Sequence, residues 1–184
     1  MNTFFKIYNF LMIKVNSVVL KKLNLEKDVT KKYLKWMNDL EVHQFTEQKH
    51  KNHSLKDIRN FVRKKNKSKN EFLYGIFLKK NNFYTHVGNI KLGPINFIHK
   101  SAEISYFIGE KQLWGKGITT IAINKVIKIA KKKGIKKLKA GFIKLNTGSK
   151  KVLIKNGFKI EGKLKSEIIF KGRRVDTFWL GRVL

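Results

Sequence analysis

The residues best fitted to chemistry are those of Gln112-x-x-Gly115-x-Gly117. The segment before them alternates, with Ala102, Ile104, Tyr106 and Ile108 on one face, and reads as a strand. The segment after them places Ile123, Val126, Ile127 and Ala130 at helical spacing. Glycines at 115 and 117 remove side chains where a ligand would approach the main chain. A loop that runs straight into a helix turns its free N–H groups and the helix dipole toward one spot, which suits an anion such as a pyrophosphate. Two familiar phosphate loops are excluded. No glycine pair has the GxxxxGK spacing followed by Ser or Thr, and Thr120 stands where GxGxxG needs its third glycine. A plain glycine turn between strand and helix remains open on the loop alone.

The elements that must hold this loop can be followed along the chain. Val18, Val19, Leu20 and Leu23 predict a first strand. Asp28 is placed to cap a helix through Tyr33, Leu34, Trp36 and Met37, which Asn38-Asp39 closes, and residues 41–47 form a loop or helical turn. Ser54 caps a second helix from 55 to about 65, with Leu55, Ile58, Phe61 and Val62 on one face. Strands are predicted over 72–78 and 84–92, the latter broken by Gly93-Pro94. The helix after the glycine loop ends at Gly134, and a strand follows over 136–142. A short helix over 147–155 stops at Asn156-Gly157, and two long strands join through Lys171-Gly172 as a hairpin. The order is β-α-α-β-β-β-α-β-α-β-β. Residues 1–16 are apolar, broken by Lys6 and Lys14, and lack a small-residue cleavage site. They are read as an N-terminal extension, with disorder and a mis-assigned start (at Met12) both left open. Residues 17–184 are read as one domain.

Composition bounds the function. The chain has 184 residues, 42% of them hydrophobic, enough for one sizeable core. It has no cysteine, which excludes disulfides, thiolate metal sites and cysteine nucleophiles and fits a cytoplasmic setting. No apolar run reaches membrane-spanning length, so no membrane partner is expected. The histidines (His43, His50, His53, His86, His99) lack ligand spacing, so no metal is expected. A formal net charge of +30 admits a polyanion partner such as RNA or the ribosome. The lysines are scattered, however, and no RNA-binding motif accompanies them. A lysine-rich composition filling solvated faces is the preferred reading, and a nucleic-acid partner is not expected. Either way, the field attracts an anionic cofactor or substrate.

The glycine loop resembles the acetyl-CoA pyrophosphate loop (Q/R-x-x-G-x-G/A) of the GNAT N-acetyltransferases, and the element order from Ser17 to Leu184 is theirs. Further likenesses are Trp36-Met37-Asn38-Asp39 with Glu41-Val42, the run from Gly88 to Asn96, and Asn146-x-x-Ser149 followed by Lys155-Asn156-Gly157-Phe158. These resemble the branch holding the ribosomal-protein N-terminal alanine acetyltransferases and the N-acetyltransferases of nucleotide-linked amino sugars of surface polysaccharides. The resemblance implies an α/β (α+β) fold with a central, mixed, mostly antiparallel twisted sheet of about seven strands flanked by about four helices.

It also implies an enzyme: an acetyl-CoA-dependent N-acetyltransferase in which a neutral primary amine attacks the thioester directly. Acetyl-CoA is the co-substrate and no metal is involved. Main chain at Phe107, Ile108 and Gly109 would pair with the pantetheine arm, and a backbone N–H there would hold the thioester oxygen. Gln112, Leu113, Trp114, Gly115, Lys116, Gly117, Ile118 and Thr119 would cradle the diphosphate, with Asn146 and Lys155 completing the cofactor site. Glu103 would be the general base, or else one half of a surface ion pair. Many family members carry a tyrosine acid seven residues after the asparagine, where this chain has Leu153. That leaves Ser149, Tyr106 or water to protonate the leaving thiolate. Trp36, Glu41, Phe45 and Asn89 would line the acceptor pocket, with core packing the preferred role of Trp36 and Phe45. The expected acceptor is a nucleotide-linked amino sugar. The alternatives are a protein N-terminus or, in another class, a basic ribosome- or RNA-associated module that kept the fold without turnover. A homodimer is admitted.

Overall fold

Alternation and capping in the sequence become the observed elements. The computed structural model describes residues 17–184, so the expectations for residues 1–16 lie outside it. Strand β1 (Val18–Lys22) leads to α1 (Lys31–Met37), the short α2 (Leu40–His43) and α3 (Leu55–Lys67). Strands β2 (Phe72–Lys80), β3 (Phe83–Asn96) and β4 (Ser101–Ile108) follow. Next come α4 (Ile118–Lys132), β5 (Lys137–Ile143), α5 (Thr147–Lys155), β6 (Lys159–Phe170) and β7 (Arg173–Val183).

Local chemistry corrects three boundaries. Thr30, rather than Asp28, caps α1 by accepting from the Tyr33 amide. The Asp28 carboxylate instead accepts from the Asn24 amide in the preceding turn. Asn38 closes α1 as expected, but Asp39 starts a new turn, accepting from the amides of Glu41 and Val42, and so creates α2. Strand β3 survives Gly93-Pro94, because a register irregularity between Leu92 and Ile95 absorbs the interruption. Ser54 does cap α3, in a full capping box with Asp57.

The strands form one sheet in the order β1-β2-β3-β4-β5-β7-β6. Every neighbouring pair is antiparallel except β4 and β5. One hydrophobic cluster joins the sheet to the apolar face of α4 and to Leu153 of α5. A second packs Tyr33 and Trp36 of α1 and Ile58 and Val62 of α3 with Leu73 and Phe77 of β2. The amphipathic spacing of these helices is thus satisfied by burial in two layers.

The feature that positions the site is a parting of strands. Strands β4 and β5 pair only over Ser101–Glu103, whereas β5 stays paired with β7 over its whole length. From residue 104 onward the edge of β4 facing β5 has no strand partner, and its main-chain groups need another. On its other side β3 presses close, and only glycine fits at 88: a Cβ there would lie 2.3 Å from the Phe107 carbonyl oxygen.

Candidate active site

A cleft of about 650 Å³ opens where β4 and β5 part. Its walls include Tyr106, Phe107 and Ile108 of β4, then Leu113, Trp114, Gly115, Gly117, Ile118 and Thr119, and from the α5 side Asn146, Ser149 and Lys155. Gly115 and Gly117 have φ of +75° and +79°, and a Cβ on either would meet nothing within 4 Å. Both are left-handed positions whose missing side chains face open space. Gly117 is the N-cap of α4 and supplies no side-chain cap, so the first-turn amides of Ile118, Thr119 and Thr120 lack an intrahelical acceptor. This is a positive helix end beside bare main chain, the arrangement that binds a diphosphate.

The cradle is narrower than the sequence suggests. The amides of Leu113, Trp114 and Lys116 bond back to the carbonyls of Glu110, Lys111 and Leu113. The Gln112 side chain turns away to Glu110, and neither Gln112 nor Lys116 lines the cleft. The Gly109 amide is committed to Val87 of β3 at 2.9 Å, so it does not face the parting. Trp114 Nε1 donates to the Ile108 carbonyl at 2.9 Å, bracing the loop against β4.

Across the cleft, Asn146 caps α5 by accepting from the Ser149 amide at 3.0 Å. That turn brings Ser149 Oγ to 2.9 Å from the Tyr106 hydroxyl. Burial pushes the Tyr106 phenol up to about 12, with the Ser149 hydrogen bond pulling the other way. The phenol is therefore a proton carrier throughout the neutral range. Leu153 is fully buried in the core.

Glu103 was expected as the general base or as one half of a surface ion pair. It lies where β4 and β5 are still paired, 4.0 Å from Lys139, with both side chains 42% exposed, and it lines none of the three cavities described here. This position agrees with the ion-pair alternative. An exposed pair of this kind contributes about 1 kcal/mol or less. Glu103→Gln is expected to leave steady-state turnover within about twofold of wild type; a loss of tenfold or more would restore the base.

Trp36 is also placed elsewhere: it is buried, donates from Nε1 to Glu110 at 3.2 Å and packs on Gly109, where a Cβ would fall 2.1 Å from the indole. Glu41 and Phe45 line the first cleft, Glu41 paired with Lys111 at 2.7 Å and Phe45 stacked on Phe170 with centroids 5.5 Å apart. Of the residues expected at the acceptor, Asn89 alone enters a separate cavity of about 750 Å³ between the sheet and the helices α1 and α3. The two spaces share Thr46, Tyr106 and Phe107, so they meet across β4 where it parts from β5. A third hollow, of about 360 Å³, lies between the 45–49 segment and the β6–β7 hairpin.

A family profile described as acetyltransferase (GNAT) domain matches residues 18–159. The chain belongs to the GNAT acetyltransferase family. It is an acetyltransferase that uses acetyl-CoA. No curated protein matches the sequence. Solved structures share the fold at low identity. The microcin C7 self-immunity acetyltransferase MccE, in complex with acetyl-CoA and AMP, has a TM-score of 0.77 at 24% identity, covering 95% of this chain and 97% of its own. Spermidine N-acetyltransferase from Vibrio cholerae, in complex with CoA and spermine, has a TM-score of 0.80 at 20%, covering 91% and 96%. RimL, a ribosomal L7/L12 alpha-N-protein acetyltransferase in complex with coenzyme A, has a TM-score of 0.79 at 20%, covering 94% and 98%.

In this GNAT chain the sequence reading overlooked Thr120, Gly148 and Lys151 in the cleft wall. Each stands beside a motif residue and would have followed from extending the motifs by one turn. It also overlooked His43 and His53 in the second cavity. Their spacing matches no ligand pattern, so only three-dimensional proximity identifies them.

Proposed function

We propose that this acetyltransferase acts on a nucleotide-linked amino sugar, taken up in the second cavity while the cleft holds acetyl-CoA. The observation that carries this reading is the charge of the cavity wall. Lys51 and Lys91 face it, with Lys91 also paired to Glu71 at 3.1 Å, and the one acidic residue in the wall is Asp57. The Asp57 carboxylate is occupied in the Ser54 capping box, whose hydrogen bonds hold its pKa below the usual range. Such a wall, in a chain of formal net charge +30, attracts phosphates and repels a polycation. A polyamine acceptor needs several carboxylates, and this wall offers Asp57 alone, already engaged by Ser54. The volume of about 750 Å³ lies within the range of small-molecule pockets. The AMP held by the microcin immunity enzyme supports a nucleotide-bearing acceptor in this fold.

In this reading Gly115, Gly117 and the first-turn amides of α4 hold the diphosphate, and Lys155 lies over the anionic end of the cleft. The free edge of β4 at Phe107 and Ile108 aligns the pantetheine, and Tyr106 with Ser149 delivers a proton to the leaving sulfur. Holding amine and thioester together supplies much of the rate. Two cavities that share lining residues, beside a helix end with uncapped amides, favour turnover over a basic module that kept only the fold.

A panel of acceptors tests the assignment. Thiol release from acetyl-CoA is measured with a nucleoside-diphosphate-linked amino sugar, with spermidine, and with Ala- and Ser-initiated peptides. The amino sugar is expected to lead in kcat/KM by more than about tenfold and to lose rate as salt screens the wall. A lead for the peptides would move the function to protein N-termini.

A further inference from the structure

Three buried polar atoms in the wall of the second cavity have no hydrogen-bond partner among the described residues: His43 Nε2, His53 Nε2 and Asn89 Nδ2. His43 and Asn89 are each 2% exposed. Orphaned polar atoms at such depth are costly to folding, and their gathering around one cavity points to a ligand that completes them.

The surrounding hydrogen bonds define what each atom offers. The Thr46 hydroxyl donates to the His43 carbonyl at 3.2 Å and accepts from the Gln48 amide at 3.3 Å. Its remaining lone pair faces His43 Nδ1 at 3.2 Å, so Nδ1 carries the imidazole proton and Nε2 presents a lone pair. On β3, His86 Nε2 lies 3.0 Å from the Gly88 carbonyl and 2.9 Å from Asn89 Oδ1. Both of those are acceptors, so His86 Nε2 is the donor, the Asn89 amide is fixed, and Nδ2 is an unused donor. Phe107 links the two groups: it is the cross-strand partner of Asn89, and its ring meets the His43 imidazole edge-on at 4.9 Å. Phe107 also lines the cleft, so this acceptor–donor couple stands at the join between the two cavities.

We propose that His43 is the general base of the transfer, its Nε2 taking a proton from the attacking amine while Asn89 Nδ2 donates to an oxygen carried next to that amine. This rests on the acetyltransferase reading and sharpens its acceptor class to an amine flanked by a hydroxyl or ether oxygen. The amine enters neutral. Its nitrogen forms a bond to the acetyl carbon, the carbon–sulfur bond breaks toward sulfur, and one nitrogen proton passes to His43 Nε2 and then to solvent. The thiolate takes a proton from the Tyr106–Ser149 side. Burial first, and then the neighbouring His53, hold the His43 imidazole down at about 4 against the opposing pull of Asp39, so it starts each cycle with its lone pair free. A proton acceptor of this kind is worth roughly 10²–10⁴-fold in rate.

The test compares wild type with His43→Gln, His43→Ala and His53→Gln, using acetyl-CoA and the best amine of the acceptor panel. Both His43 variants are expected to lose about 100-fold or more in kcat, with acetyl-CoA affinity within about threefold and a cooperative melt, while His53→Gln, at a wall residue of the acceptor cavity, is expected to raise the acceptor KM and so to lose more in kcat/KM than in kcat. Folded His43 variants with turnover near wild type would overturn the proposal, as would a dispensable His43 beside an essential His53. A second measurement needs no acceptor. In wild-type protein with ¹⁵N-labelled histidine, His43 is expected at pH 7 as the neutral Nδ1–H tautomer; the Nε2–H tautomer or an imidazolium would overturn the proposal even where every His43 variant misfolds. Wild type active on peptides but not on the amino sugar would defeat the acceptor reading and leave the base test intact.

Discussion

Gly117→Trp is expected to weaken acetyl-CoA binding by about 100-fold or more, equivalent to roughly 2.8 kcal/mol. Gly117 has a φ of +79°, and a Cβ built on it meets no atom within 4 Å. A side chain there does not collide with the protein. It enters the open space of the cleft that Gly117 lines, where the proposed diphosphate site lies. Any non-glycine residue also carries left-handed strain of roughly 1–2 kcal/mol. Gly117→Ala separates the two effects: it carries the strain with little of the bulk, so its melting temperature drops while most of the affinity remains. Titration calorimetry with acetyl-CoA reads the affinity. Thermal shift reads the same quantity independently, because a ligand at about 100 times its Kd stabilises the native state by about 2.7 kcal/mol. Wild type should show that shift and Gly117→Trp should not. Gln112→Ala serves as the contrast, since its side chain is turned to Glu110, and it should bind within about threefold of wild type. A Gly117→Trp protein that binds as tightly as wild type would remove the loop from the site.

What the sequence disclosed follows from the range of each interaction. Local patterns were legible: the Ser54 cap, the alternation of β4 and the stop of α5 at Asn156 all depend on neighbours within a turn or two. The glycine pair was legible for the same reason, since two left-handed positions before a helix announce themselves by residue type. Which amides of the loop stay free was not legible. Leu113, Trp114 and Lys116 bond back into a short 3₁₀ turn at residues 111–113, whose geometry no side-chain pattern dictates. The setting of Glu103 depends on where β4 stops pairing with β5, which alternation along the strand does not reveal: Glu103 is the last paired residue, and the edge is without a strand partner from residue 104. The acceptor cavity is the extreme case. His43, His53 and Asn89 come from α2, a loop and β3, and their association exists only once α1 and α3 have docked on the sheet. The loop bearing His53 is itself fastened by Asn38, which accepts the His53 amide at 2.8 Å and donates to its carbonyl at 3.0 Å.

Tyr106→Phe should lower kcat by about 100-fold while leaving acetyl-CoA affinity nearly intact. Leu153 occupies the position at which many relatives carry a tyrosine acid, and it is buried in the core, so no proton can come from there. Tyr106 reaches the same side of the cleft from β4, and its hydroxyl lies 2.9 Å from Ser149 Oγ. A phenol pushed up to about 12 by burial stays protonated at every working pH and cannot act as a base there. It can give up its proton only as negative charge develops on the departing sulfur, with Ser149 as the hydroxyl in between or beside it. If the two hydroxyls work as one unit, Ser149→Ala should cost about as much as Tyr106→Phe, and the double variant no more than either. Additive losses would mean two independent contributions. The dependence on leaving-group basicity supplies the decisive comparison. An acetyl donor with a more acidic thiol needs less help from an acid, so the deficit of Tyr106→Phe should shrink with such a donor. A deficit that stays constant across donors, or a Tyr106→Phe enzyme within threefold of wild type, would assign the phenol to packing between β4 and α5 and leave solvent as the source of the proton.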